Sequence, residues 1–283
     1  PRARPRHHNV EVLRNIPYLD GGHREHRLDI YRPSPDSPHA QARPWPIVLY
    51  VHGGGFRILS KDTHWLMGLA FARRGAVVFN VSYRLAPKHR YPAAVQDVFA
   101  AYRWVLDNAV RYGGDLSRIV VAGESAGANL SLGLTLATAH ERPEPWAAAV
   151  FDAGRVPDAC IAACGILQVS ATHRFARVQS PPRPFIQDRL VEVTAAYLGD
   201  PEAEPTPESE LADPLLLVER AATRELALAR PLPPMMLPVG TADPLVDDTR
   251  RLEAALGSRG EWPVHVCRSV ADRSWWRSSA RRR

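Results

Sequence analysis

Short apolar runs alternate with longer stretches of helical periodicity along most of the chain. The runs at 47–51, 76–81 and 119–122 are too short for helices and lack polar alternation, which predicts buried strands of a parallel sheet. Between the last two runs, apolar side chains recur on one helical face, at Val95, Val98, Tyr102, Val105 and Leu106. This alternation predicts an α/β fold with a mostly parallel central sheet flanked by helices.

Strand and helix patterns continue on both sides of this region. Residues 10–18 and 25–31 alternate polar and apolar positions around a Gly-Gly turn, which predicts an antiparallel hairpin at the sheet edge. Further strands are predicted at 159–169, 235–239 and 263–266, and further helices near 63–74, from about 130 to 137, and at 247–258. Residues 1–9 and 268–283 have neither period, so we expect unfolded tails on one domain that spans 1–283.

A long segment without a regular pattern separates two of the later strands. Residues 170–234 are rich in proline and carry acidic side chains around 201–210. An insert of this length within a compact domain is often a lid or a binding element. We therefore expect an irregular cap insert here.

Composition places the chain among ordinary globular proteins. Its 283 residues are 45% hydrophobic and 23% charged, and no apolar run reaches the length of a membrane span. No signal peptide is visible at Pro1. Three cysteines, Cys160, Cys164 and Cys267, make no disulfide framework, which favours a reducing, cytoplasmic setting.

The net charge of +6 does not indicate a nucleic-acid-binding protein. The segments 1–9 and 268–283 together contribute +8, so the body between them carries −2. A protein that binds a nucleic-acid groove would carry its basic stripe on the folded body. A further interpretation, a basic interaction protein, is supported only by these two terminal segments.

A candidate nucleophile follows the strand predicted at 119–122. The pentapeptide Gly-Glu-Ser-Ala-Gly at 123–127 leads from that strand into a helical stripe, and this strand–turn–helix context is typical of a nucleophile elbow. The two glycines remove side chains where strand and helix crowd together, and Ser125 is presented at the positive end of the following helix. The alternative is a chance Gly/Ser turn, against which the placement of the motif argues.

Three glycines after another buried strand suggest a site for a developing negative charge. Residues 52–56, His-Gly-Gly-Gly-Phe, follow the run at 47–51, and glycines let backbone N–H groups approach a ligand closely. We assign the N–H groups of Gly54, Gly55 and Ala126 to an oxyanion hole. A phosphate loop is excluded because no Gly-Lys-Ser/Thr follows. His52 has two interpretations, a catalytic base or, as we favour, a structural anchor of the glycine loop.

These motifs resemble the hormone-sensitive-lipase-like family of α/β-hydrolases, which includes bacterial carboxylesterases and arylacetamide deacetylases. The resemblance covers nearly all of residues 10–266, and its blocks lie at 52–56, 83–87, 91–94 with Asp97, 123–127, 212–215 and 240–245. The family often has Asp where this chain has Glu124. The resemblance implies the α/β-hydrolase fold, a serine esterase activity, and a supporting role for residues 83–87 in the wall of the active site.

Asp243 is the candidate acid. It lies in the loop after the strand at 235–239, and an acid that follows the serine in the chain is the order this fold uses. Such an acid orients the catalytic imidazole and stabilises its charged form. The alternative is an ordinary turn Asp before Pro, and the family resemblance favours the catalytic role. Asp247 and Asp248 are expected to begin the next helix, where negative charge is favourable.

The catalytic base does not follow the family pattern. The family places its histidine in a Gly-x-x-His-x-Phe-like loop after the last strand, and here Arg273 occupies that region. His265 is the only histidine after Asp243, but it lies within the strand at 263–266 rather than in the loop beyond it. It is therefore a weak candidate base. The abrupt change in character near Val266 suggests a frameshift or cloning junction as the hypothesis to test.

The expected function is hydrolysis of small to medium acyl esters, without a metal or an organic cofactor. The expected partner is a small-molecule ester, and we expect neither a nucleic-acid partner nor a membrane span. For the oligomeric state, a homodimer is left as an open alternative. The alternative is a catalytically impaired or dead relative that binds a ligand, which the missing histidine favours. Retention of Ser125, Asp243 and the glycine loop favours the enzyme.

Overall fold

The structure is a computed structural model, and it describes residues 9–177, 181–260 and 262–269. One sheet of eight strands runs through these residues. The strands are β1 (Val10–Pro17), β2 (Arg27–Pro33), β3 (Trp45–Val51), β4 (Val77–Val81), β5 (Gly114–Glu124), β6 (Ala159–Ala163), β7 (Met235–Gly240) and β8 (Val264–Ser269). Their order in the sheet is β1-β2-β4-β3-β5-β6-β7-β8, with β1 and β2 antiparallel to their neighbours and all other pairs parallel.

Helices cover the sheet as the alternating pattern predicts. They are α1 (Trp65–Ala72), α2 (Ala93–Asn108), α3 (Ala126–Ala139), α4 (Pro145–Asp152), α5 (Pro184–Leu198), α6 (Pro214–Ala222) and α7 (Val246–Arg259). The central strands are apolar on both faces because both faces are covered, and every residue of β4 is buried. The predicted α/β architecture, the edge hairpin and the three central strands are confirmed.

Some elements differ from the prediction. Helix α4 was missed, because its eight residues form too short an apolar stripe to stand out. Helix α3 is buried along its whole length rather than on one stripe, since it contacts α2, α4 and α6 as well as the sheet. Strand β6 ends at Ala163, where Cys164 turns to a positive φ of 37°. Strand β8 continues to Ser269, two residues into the segment that was expected to be an unfolded tail.

The segment 170–234 differs from the irregular insert that the sequence predicts, because it contains the helices α5 and α6. Both helices begin at a proline, a residue that suits the first helical turn yet resembles a loop signal in the sequence. The buried Asp213 carboxylate accepts hydrogen bonds from the backbone N–H groups of Val169 at 2.6 Å and Ser170 at 3.0 Å. These bonds attach the segment to the body of the domain.

Candidate active site

Ser125 lies at a sharp turn between β5 and α3. Its backbone has φ 52° and ψ −117°, a region that a residue with a side chain rarely adopts and that costs about 1–3 kcal/mol. The Ser125 N–H donates to the carbonyl of Ala163 at 2.9 Å, which joins the turn to the end of β6. The strained backbone that is typical of a nucleophile elbow is therefore present, and the turn places Ser125 at the carboxyl edge of the sheet.

Two glycines make this turn sterically feasible. A Cβ atom at Gly123 would lie 2.4 Å from the carbonyl oxygen of Gly127, and one at Gly127 would lie 2.1 Å from the carbonyl oxygen of Val51. Both contacts are with backbone atoms, which cannot rotate away. The crowding of strand against helix that the sequence suggested is thus a feature of the structure.

The glycine loop leaves the same sheet edge from the adjacent strand. Val51 at the end of β3 pairs with Gly123 of β5, so the loop and the elbow begin side by side. Gly54 and Gly55 have φ values of +111° and +57°, and a Cβ on Gly54 would lie 2.2 Å from the carbonyl oxygen of Ile58. Among the hydrogen bonds of the described residues, none is donated by the N–H of Gly54 or Gly55.

Ala126 completes the arrangement of backbone donors. It is the first residue of α3, and the first N–H groups of a helix have no intrahelical acceptor. A Cβ placed on Gly53 would lie 3.3 Å from the Ser125 Cβ, so the glycine loop is packed directly against the elbow. The positive helix end and the loop therefore face the serine together.

Residues 83–87 support the glycine loop from behind. The Tyr83 hydroxyl donates to the carbonyl of His52 at 2.8 Å, and the two rings stack with their centroids 4.2 Å apart. The Ala86 N–H donates to the carbonyl of Phe56 at 2.8 Å, and the Phe56 ring stacks on Tyr197 of α5 at 3.8 Å. Residue pattern alone gave no signal for this support, and only the family resemblance indicated it.

His52 is enclosed in the structure. Its side chain has no exposed surface, and its Nδ1 lies 2.7 Å from the carbonyl oxygen of Gly53. Burial lowers its pKa to about 4, so the ring is neutral near pH 7. This placement suits the anchoring role that we favoured over a base.

Asp243 follows the end of β7 in a tight turn. Its N–H donates to the carbonyl of Gly240 at 3.0 Å, and its Oδ1 accepts the N–H of Leu245 at 2.8 Å. The side chain is half-buried and lines a cavity of about 450 Å³ between this turn and the start of α5. These bonds fit both interpretations of Asp243, the catalytic acid and an ordinary turn Asp before Pro.

Cys164 follows β6 at the same edge of the sheet, and its N–H donates to the carbonyl of Pro238 in β7 at 2.8 Å. Burial raises the pKa of its thiol, the nearby Asp243 carboxylate raises it further, and the Ser125 N–H partly opposes the shift. Both groups therefore influence the charge state of the Cys164 thiol. The structure brings Ser125, Gly54, Gly55, Ala126 and Asp243 to one edge of the sheet.

His265 lies elsewhere. It is exposed in β8 and pairs with Met236, four residues before β7 ends at Gly240. At 3.3 Å per residue, it stands roughly 13 Å short of the edge beyond which Asp243 lies. The structure does not bring it together with the other candidate residues. The predicted tail from 270 onward, with Arg273, lies outside the described residues, as do residues 1–8.

Asp248 has a second role that the sequence did not indicate. Asp247 and Asp248 occupy the first turn of α7, as predicted. Asp248 is also fully buried, accepts the Leu167 N–H at 2.9 Å and pairs with Arg174 at 2.6 Å. It thereby joins α7 to the start of the cap insert.

A family model described as the α/β-hydrolase fold matches residues 48–269 of this chain. The chain belongs to that family. Its relatives and the motifs of its candidate site place it on the hormone-sensitive-lipase-like branch of the fold, as the resemblance implied.

Several known proteins are similar in sequence to parts of this chain. Carboxylesterase NlhH of Mycobacterium tuberculosis is 53% identical over 87 residues, which is 30% of this chain and 27% of that protein. Esterase LipI of the same species is 35% identical over 188 residues, 60% of this chain and 58% of its own length. Mouse hormone-sensitive lipase is 30% identical over 174 residues, 59% of this chain and 21% of the lipase. The chain thus matches less than two thirds of each of these relatives.

Solved structures agree with the fold. The esterase of Pyrobaculum calidifontis superposes with a TM-score of 0.69 at 28% identity, covering 94% of this chain and 77% of that one. Esterase LipW of Mycobacterium marinum gives a TM-score of 0.66 at 27% identity, covering 92% and 72%. None of the helices described between residues 9 and 269 has the length and apolar character that a bilayer crossing needs.

Proposed function

We propose that this protein hydrolyses carboxylic esters with small to medium acyl groups and that Ser125 is its nucleophile. The observation that carries the proposal is the strained Ser125 backbone at φ 52°, held against a glycine loop at the carboxyl edge of the sheet. The names of the similar proteins, carboxylesterase and esterase, support the same chemistry.

In this proposal each residue has a defined role. The Ser125 hydroxyl attacks the ester carbonyl, and the N–H groups of Gly54, Gly55 and Ala126 stabilise the oxyanion that forms. Asp243 orients an imidazole that takes the serine proton and returns a proton to the leaving alcohol. Water then releases the acyl group from Ser125. No metal or organic cofactor takes part in these steps.

The two candidate histidines do not fit the role of the base in this mechanism. His52 is buried behind the glycine loop and His265 lies near the start of the edge strand β8, so neither is placed to bridge Ser125 and Asp243. The second candidate function is therefore a catalytically impaired relative that binds an ester-like ligand. The cavity of about 450 Å³ beside Asp243 and the arginine at 273 favour it.

We further propose a cytoplasmic location and a small-molecule ester as the partner, with a homodimer left open. Support for the location comes from the cysteines: Cys160, Cys164 and Cys267 are all free thiols.

A fluorophosphonate probe tests the nucleophile. The probe forms a covalent bond to an activated serine, and intact-mass measurement detects it without requiring turnover. We expect slow labelling of the chain at Ser125 and none of a Ser125→Ala variant, with exposed Ser117→Ala as the control that still labels. Equal labelling of the Ser125→Ala variant, or no labelling after long incubation at high probe concentration, would contradict the proposal.

The cap insert should influence acyl-chain preference, because α5 lies over the glycine loop. The Val193 Cγ2 would be 2.9 Å from a Cβ on Gly55, and Arg57 pairs with Glu192 at 3.4 Å. Shortening the Val193 side chain to Ala should change the ratio of labelling rates for butyl and octyl fluorophosphonates roughly tenfold. Exposed Val110→Ala is the matched control. An unchanged ratio for the Val193 variant would count against a cap role.

A further inference from the structure

Glu124, the residue before the candidate nucleophile, joins the elbow to the glycine loop through its side chain. Its Oε1 accepts the backbone N–H of Gly53 at 2.7 Å. The two residues are 71 positions apart in the sequence but lie at the ends of the adjacent strands β3 and β5. Gly53 in turn precedes the two glycines whose N–H groups we assign to the oxyanion.

Two further groups converge on the same carboxyl. His64, immediately before α1, has its Nε2 2.7 Å from Oε1, and the Tyr50 hydroxyl of β3 donates to Oε2. The Glu124 carboxyl is therefore held from three directions, and the glycine loop is one of them.

Gly53 must be a glycine for this contact to form. A Cβ at that position would lie 2.8 Å from the Glu124 carbonyl oxygen and 3.0 Å from its Oε1. The absence of a side chain thus lets the loop backbone approach the carboxyl closely. This explains the first glycine of the loop, whose N–H points at Glu124 rather than at a substrate.

We propose that Glu124 is a positioning residue, whose carboxyl holds Gly53 against the elbow and thereby sets the N–H groups of Gly54 and Gly55 for the oxyanion. The proposal rests on the proposed function of Ser125 and the glycine loop. Glu124 itself does not touch the reacting atoms. It acts through one backbone hydrogen bond, and a charged acceptor makes that bond stronger than a neutral one does.

The charge of this carboxyl changes near neutral pH. Burial raises the Glu124 pKa from 4.5 to about 7. The hydrogen bond from the Gly53 N–H lowers this pKa, but its effect is smaller than that of burial. The titratable groups that face it are Tyr50, His64 with His52 stacked behind it, and the Cys164 thiol. Burial also lowers the pKa of His64, so that ring is neutral in the same pH range. The bond to Gly53 should therefore strengthen as the pH rises through 7.

The test compares the full chain with Glu124→Gln, Glu124→Ala and the exposed control Glu225→Ala. Glutamine can still accept the Gly53 N–H but carries no titrating group, whereas alanine removes the bond. Hydrogen exchange of residues 53–55, the pH dependence of the Gly53 amide signal in NMR, and the rate of Ser125 phosphonylation are measured on each protein. The first two readouts need no catalysis.

We expect the Gly53 amide signal to titrate with a midpoint near pH 7 in the full chain and in Glu225→Ala, and not in Glu124→Gln. In Glu124→Ala, exchange at residues 53–55 should rise and phosphonylation should slow, each on the order of tenfold, as expected for losing one hydrogen bond to a charged group. In Glu124→Gln, the exchange rate at residues 53–55 and the rate of phosphonylation should both change less than in Glu124→Ala. If Glu124→Ala does not fold, the presence or absence of a titration of the Gly53 amide in Glu124→Gln tests the proposal.

A Gly53 amide that still titrates near pH 7 in Glu124→Gln would overturn the proposal. Unchanged exchange and labelling in a folded Glu124→Ala would overturn it as well. A full chain that does not react with the probe would instead contradict the proposed function, while the exchange and NMR results would still report on the Glu124–Gly53 bond. The two failures are therefore distinguishable.

Discussion

A variant in which a Gly-x-x-His-x-Phe loop replaces residues 270–283 is expected to hydrolyse p-nitrophenyl butyrate several orders of magnitude faster than the chain itself. The serine hydroxyl is a poor nucleophile near neutral pH without a base. Losing the histidine of a serine triad costs on the order of 10⁶ in turnover, and the oxyanion hole and binding leave roughly 10³–10⁴ over water. The replacement begins after Ser269 because β8, which pairs with β7 as far as Gly240, must be kept.

Two controls make this result specific. The same loop with Gln in place of His should give no gain, which separates the base from any effect of the loop on folding. The His265→Ala variant of the original chain should be as slow as its parent. Full activity in the original chain that His265→Ala abolishes would identify His265 as the base, and full activity that survives it would point to an upstream histidine such as His52.

Gly127→Ala should lower the free energy of unfolding by about 3 kcal/mol or more, while Gly133→Ala should change it by less than about 1 kcal/mol. Both glycines are buried in α3, so the comparison holds the helix constant. The new Cβ would lie 2.1 Å from the Val51 carbonyl oxygen in the first variant, and 3.5 Å from the nearest atom, the Leu211 carbonyl oxygen, in the second.

Chemical denaturation measures this difference, through the midpoints and slopes of the two unfolding curves. The Gly127→Ala variant should also lose phosphonylation of Ser125, because relief of the clash must move the start of α3 away from β3. Equal unfolding free energies for the two variants would show that the elbow tolerates a side chain and would weaken the steric argument for the motif.

Pattern reasoning succeeded where local constraints are strong. The strand runs at 47–51 and 119–122 correctly predicted β3 and the second half of β5. Strand β3 ends at Val51 as predicted, whereas β5 continues two residues further, to Glu124, before the backbone turns at Ser125. It failed in the segment 170–234, where prolines that begin α5 and α6 were interpreted as loop signals. It also missed the helix α4, because a short helix is stabilised by its tertiary contacts rather than by a long periodic stripe.

The sequence by itself determined the sheet class, the strained turn at Ser125 and the glycine loop, because backbone freedom at glycine and a strand–turn–helix order are local properties. Tertiary structure alone decided which side chains surround them. Glu124 meets Gly53 across 71 residues, and Val193 lies on Gly55, because β3 and β5 are neighbours and α5 folds over their ends. The strand register likewise pairs His265 with Met236, short of the carboxyl edge of the sheet, and no pattern within one segment contains that information.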